Sequence, residues 1–283
     1  MMLLFIIEKY ALGSKVILSV FFAALGFMFL YYGFKMLEMA YVMRNRKPFF
    51  VHFYIKLKRL TPKQRLILVH EFIFYKRLSN KEQQYFEHRV AAIIKDKTFI
   101  GRGNFEITDE VKILISSTAV MLTFGFRDFY IGLIDKIFVY PDAFYSNTNQ
   151  DYHKGELNPK LKALVLSWDD FEQGYNIGDD NLNLGIHEFA HAIHLNSIKE
   201  KDVSSTLFKD SFKELTSLLS ANEILRKELI ASKYFRAYAY TNQFEFLAVL
   251  IEYFIETPLE FKAQFPSIYV KVKQMLNFEF AGY

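Results

Sequence analysis

Between Lys15 and Lys35 the chain reads VILSVFFAALGFMFLYYGF, Val16 to Phe34, with no charged side chain. A helix rising about 1.5 Å per residue over this run covers roughly the 30 Å of a bilayer interior. Helices of soluble domains keep a polar face over such lengths, and this run has none. The pattern therefore predicts a transmembrane helix. Its length, and the lack of an A-x-A site after it, argue against a cleaved signal peptide. Lys35, Arg44, Arg46 and Lys47 stand downstream, against Lys9, Lys15 and the amino terminus upstream. That excess places the following domain in the cytoplasm. The expected division is an anchor with a basic juxtamembrane segment, residues 1–47, and a domain, residues 48–283.

Within the domain the apolar period is mainly helical. KRLTPKQRLILVHEFIFYKRLSNKEQQYFEHRVAAIIKDKTF predicts two amphipathic helices parted near Leu78 to Lys81, with Ser79 or Asn80 as N-cap. Another helix begins at ITDEVKILISSTAVML, where Thr108 caps and Asp109 and Glu110 suit the positive first turn. Two short β-rich runs follow, KIFVY and ALVLSW, the second spanning Ala163 to Trp168, with SNTNQDYHKGELNPK between them as a polar loop. The remainder reads as helices over Leu184–Leu195, Asp210–Leu229 and Asn242–Ile255, with Pro258 after the last. The expected fold class is α+β: a helix-dominated domain with a small sheet, preceded by the transmembrane helix.

Composition narrows the chemistry. The chain of 283 residues has 52% hydrophobic residues, enough for a substantial core. Its net charge of +4 is spread along the chain and does not point to nucleic acid. There is no cysteine, so a metal would have to sit on histidine and carboxylate.

Three of the seven histidines fall in HEFAHAIH, residues 187–194. On a helix His187 and His191 lie on one face a turn apart, so both imidazoles can aim at one ion. Glu188, at the rim of that face, can take a proton from a metal-activated water and return it to a leaving amine. The upstream HEF at His70 lacks this partner, because Phe74 stands four residues on. His70 and Glu71 are read as surface or boundary residues. A metzincin would need glycine at 194 and histidine at 197, where this chain has His194 and Ser197. His194 is given a supporting or surface position, since three ligands down one straight helix cannot surround an ion. The third ligand should be a later carboxylate. Glu214 is nearest, while Glu245 and Glu252 share a face of the helix in NQFEFLAVLIEYFIETP. Glu245 reads equally as a ligand and as the capping-box partner of Asn242.

The ordered series FEITDEVKILISSTAVML, VYPDAF, LVLSWDD, GIHEFAHAI and AYTNQFEFLAVLIEYF resembles the zinc-dependent peptidase family of Mlc titration factor A, from about Leu60 onward. The resemblance implies a gluzincin-like, zincin-type site for Zn2+. In it His187 and His191 bind the metal, Glu188 is the general base, and Glu245 is the third ligand. It also implies a tyrosine near the metal at Tyr238, whose phenol can hydrogen-bond an oxyanion, and a glutamate at Glu252 that orients a ligand histidine. The chain departs from the family pattern at His194, commonly aspartate, and at Gln243, commonly proline. Aminopeptidase-like hydrolysis of short peptides is the implied activity, with the ALVLSW strand offering an edge for extended substrate. The family also implies an alternative, a regulatory protein that sequesters a transcriptional regulator.

Overall fold

The computed structural model describes residues 2–146 and 150–283, with side chains from residue 13 onward. Two compact units emerge, Met1–Phe49 and Phe50–Tyr283.

The first unit is built on helix α1 (Met2–Asn45). Its stretch Gly13–Asn45 is long and apolar enough to cross a membrane, and its most hydropathic window has no buried residue. Phe27, Leu30 and Phe29 are largely exposed, so these side chains find no protein core to enter.

In the second unit the order is α2 (Pro62–Glu71), α3 (Ile73–Arg77), α4 (Asn80–Asp96), β1 (Thr98–Gly101), α5 (Asp109–Leu122), β2 (Lys136–Tyr140), β3 (Phe144–Ser146), β4 (Asp151–His153), β5 (Gly155–Asn158) and β6 (Ala163–Ser167). There follow α6 (Trp168–Asn176), α7 (Leu184–Lys199), α8 (Val203–Ala221), α9 (Glu223–Ser232), a 3-10 turn (Ala237–Tyr240), α10 (Gln243–Glu256), α11 (Pro258–Gln264) and α12 (Pro266–Met275). This is the α+β class expected, with more strands than the periodicity showed. The segment read as a polar loop, residues 146–160, contains β4 and β5, and Trp168 opens a helix instead of ending a strand.

The caps explain most helix starts. Ser79 accepts a hydrogen bond from the Glu82 backbone N–H while the Glu82 side chain returns to Ser79, a complete capping box. Thr61 and Gln64 form another at α2, and Thr108 caps α5. The run expected as one helix before Leu78 is split at Phe72, whose buried side chain accompanies an extended backbone. The helix expected over Asp210–Leu229 is split at Asn222, which ends α8 and caps α9 through its side chain.

The main sheet has strand order β1-β2-β6-β5, with β1, β2 and β6 parallel and β5 antiparallel to β6. β6 is therefore interior, which overturns its expected role as the free edge; β5 occupies that edge next to α7. Helix α7 packs in turn against α5 and α10. In α10 the stretch from Leu247 to Ile255 is buried throughout, each large aliphatic side chain contributing roughly 1.5–3 kcal/mol. Glu252, at 0% exposure within that stretch, is the exception that this core must accommodate.

Candidate metal centre

Asn183 sets where the site helix begins. Its side chain accepts from the Ile186 backbone N–H and donates to Gly174 O and Glu256 Oε1. One turn later His187 and His191 project together, their Nε2 atoms 3.0 Å apart. From α10, Glu245 Oε2 approaches them at 3.0 and 3.4 Å. Ligands at 2.0–2.1 Å around a tetrahedral centre lie about 3.3 Å from one another, close to these three separations. One ligand atom from each residue lies within 4.8 Å of the others. Glu245 Oε2 is buried without a hydrogen bond of acceptable geometry. Two imidazole nitrogens and a carboxylate oxygen facing one another call for positive charge between them, a proton or a metal ion, and the donor set fits a small metal ion.

The remaining contacts orient these donors. Glu252 Oε1 lies 2.7 Å from His187 Nδ1. This assigns the proton to Nδ1 and leaves the Nε2 lone pair directed at the site. Glu252 also accepts the Asn183 backbone N–H and a two-pronged pair of bonds from Arg236, both at 2.7 Å. Arg236 further bonds Asn181 O. A buried carboxylate is costly when unpaired; here every lone pair direction has a donor or a cation.

Burial pushes the Glu188 carboxyl up, a trend opposed by His187 and His191, which moves its basicity toward the range useful for proton transfer. Burial alone would lower His187, but the Glu245 and Glu252 carboxylates lying against its two ring nitrogens raise it to about 9. Burial would raise Glu245, yet the two imidazoles hold it well below the usual carboxylate range. The site thus prefers positive charge between its acids, as a metal would supply. Burial and the Glu245 charge push the Tyr238 phenol up to about 12, so it stays protonated and able to donate. Its ring centroid is 5.9 Å from that of His187.

A cavity of about 490 Å³ opens in front of His187 and Glu188, bordered by Lys154, Gly155, Arg236 and Tyr238. Gly155, at the start of β5, leaves room for this geometry. A Cβ there would stand 2.6 Å from Glu188 Cγ and Oε1, so a larger residue would push the carboxylate out of its place against the strand.

The structure gathers His187, Glu188, His191, Tyr238, Glu245 and Glu252 around one point. Asn242 caps α10 by accepting the Glu245 N–H, while the Glu245 side chain turns to the imidazoles. Asn242 is thus the N-cap, but no capping box forms, because the Glu245 side chain faces the imidazoles and not the Asn242 backbone. Glu214 lies elsewhere, bonded to Lys271 at 2.7 Å. His194 is buried against Phe208, Phe212 and Phe244, which excludes the surface position among the two expected for it; burial lowers it to about 4 and keeps it neutral. Two participants escaped sequence reasoning. The lone glycine in HKGELN is the kind of strand position that signals a close approach. Arg236 carried no local signal, because its partner lies 16 residues later on another element.

The family model described as glucose-regulated metallo-peptidase M90 matches residues 43–277. An uncharacterized protein of Synechocystis is 27% identical over 232 residues, covering 74% of this chain and 82% of its own length.

Because His187 titrates near 9 in the metal-free protein, a proton competes with the metal below that pH. Affinity for a divalent ion should rise roughly tenfold per pH unit from pH 6.5 and level off above 9. The same raised value means that the proton stabilises the metal-free fold below pH 6.5, an effect lost as pH passes 9. Chelator competition across this range checks the slope; a flat profile would contradict a second proton on His187 Nε2 in the metal-free protein.

Proposed function

Since this chain belongs to the glucose-regulated metallo-peptidase M90 family, we propose that it is a zinc-dependent peptidase with aminopeptidase-like action on short peptides. The convergence of His187, His191 and Glu245 on one point carries this reading. Those three residues would hold Zn2+, which supplies Lewis acidity toward a peptide carbonyl and makes a water molecule acidic.

The chain's own groups do the rest. Glu188, pressed against Gly155 at the cavity wall, removes a proton from the attacking water and delivers it to the leaving amine. Tyr238 donates its phenolic proton in a hydrogen bond to the developing oxyanion. Glu252 and Arg236 hold the His187 ring in one tautomer and orientation. The antiparallel edge strand β5 gives an extended peptide backbone groups to pair with beside Glu188. A role limited to sequestering a regulator would leave the close approach of Glu188 to Gly155 without a use.

The helix α1 anchors the protein in a membrane as a single pass, and the excess of Lys and Arg after Phe34 keeps the catalytic unit cytoplasmic.

Glu188→Gln should retain zinc and lose peptidase activity by roughly 10²–10⁴-fold, whereas Glu245→Ala should lose the metal and Glu214→Ala should keep it. Full activity in the first variant, or metal loss in the last, would refute the assignments. Protease added to intact spheroplasts should spare the catalytic unit and degrade it only after lysis; cleavage before lysis would reverse the orientation.

A further inference from the structure

The even spread of charge inferred from composition conceals a local exception. Between Glu38 and Glu71 the chain has no acidic residue, while it carries Arg44, Arg46, Lys47, Lys56, Lys58, Arg59, Lys63 and Arg65. Five of these belong to the start of the catalytic unit, where residues 50–61 form neither helix nor strand.

That irregular segment is nonetheless pinned. Arg89, fully buried, donates from Nε to Tyr54 Oη at 2.6 Å and from Nη2 to Val51 O at 3.2 Å. Its remaining bonds go to the carbonyls of Thr123, Phe124 and Phe126 in the core. The His52 ring stacks on Tyr85, and the Lys58 backbone N–H donates to His88 Nδ1 at 2.7 Å. With these residues held inward, their neighbours are forced outward. Phe53 is 74% exposed and Ile55 98% exposed, and Lys56, Lys58 and Arg59 are exposed beside them.

A cavity of about 700 Å³ continues this face, with Leu57, Leu60 and Leu66 alongside Lys58, Arg59 and Arg65. The acid at its border, Glu87, is already engaged by Arg65 at 2.9 Å and by the Tyr75 hydroxyl at 2.6 Å. Apolar tips projecting among lysines and arginines match the chemistry of a lipid headgroup layer, which offers hydrocarbon below and phosphate above. The segment also follows α1 directly, from Asn45 to Phe50 in the chain.

We propose that this face of the catalytic unit docks on an anionic bilayer surface, with Phe53 and Ile55 entering the headgroup layer and Lys56, Lys58 and Arg59 meeting lipid phosphates. The proposal rests on the reading of α1 as a membrane anchor and adds a second lipid contact, made by the catalytic unit itself. Long basic side chains keep their charge at the phosphates while their stems lie along the apolar layer.

The absence of native cysteine permits a clean test on the full-length protein. Ile55→Cys, Ile224→Cys and Phe22→Cys, each labelled with an environment-sensitive NBD fluorophore, are reconstituted in vesicles of phosphatidylcholine alone or mixed with phosphatidylglycerol. The label at 55 should shift to the blue and be quenched by nitroxide-bearing lipid in the anionic vesicles. Lys56→Glu with Lys58→Glu and Arg59→Glu should abolish both effects. The label at 224, which replaces an exposed residue of α9, should report water throughout. A label at 55 that behaves like the one at 224, or that is quenched equally in both vesicle types, overturns the proposal. The label at 22 reports on the anchor separately: quenching there with none at 55 removes the docking surface and leaves the anchor standing.

Discussion

The carboxylate of Glu252 is the constraint around which the catalytic unit is arranged. It sits at 0% exposure in the most apolar stretch of α10, where an unpaired charge would cost several kcal/mol. Its partners come from two parts of the chain: α7, through His187 and the backbone N–H of its N-cap Asn183, and Arg236 ahead of the 3-10 turn. Satisfying this one group therefore fixes the register of α7 against α10 and orients His187. Glu245, two turns earlier on α10, then meets the imidazoles as a consequence of the same helix geometry.

A second constraint acts from the opposite side. Glu188 is held against the sheet edge at Gly155, and a methyl group there would displace it. The His187–Glu245 pair and Glu188 thus depend on different supports, the buried Glu252 network for the former and the glycine-lined strand for the latter. Separating them allows Glu188 to keep a raised proton affinity while Glu245 remains strongly acidic, although both carboxylates lie in one site.

Local signals in the sequence carried far, and non-local ones did not. The uncharged run Val16 to Phe34, the caps at Ser79 and Thr108, and the spacing of His187 and His191 are each complete within a few residues, which is why they could be read. β5 could not, since GELN has one aliphatic residue in four and becomes a strand by pairing with β6. Its effect is large, because it takes the sheet edge that ALVLSW had been expected to supply. The break at Phe72 lacks a proline or glycine and follows from burying that ring. Asn222, by contrast, was a readable cap inside an apparently continuous helix. The choice among Glu214, Glu245 and Glu252 stayed open on helix spacing alone; family resemblance favoured Glu245, and the geometry gives the other two distinct partners, Lys271 and His187.

The central claim is that two imidazoles and one carboxylate of this chain share a single metal ion. X-ray absorption spectroscopy on the zinc-loaded full-length protein tests it most directly. The spectrum should show two histidine nitrogens and oxygen ligands at about 2.0–2.2 Å, with Glu245→Gln altering the oxygen shell and Glu252→Gln leaving the ligand count intact. Three imidazoles in the wild-type spectrum, or a ligand set unchanged by Glu245→Gln, would contradict it.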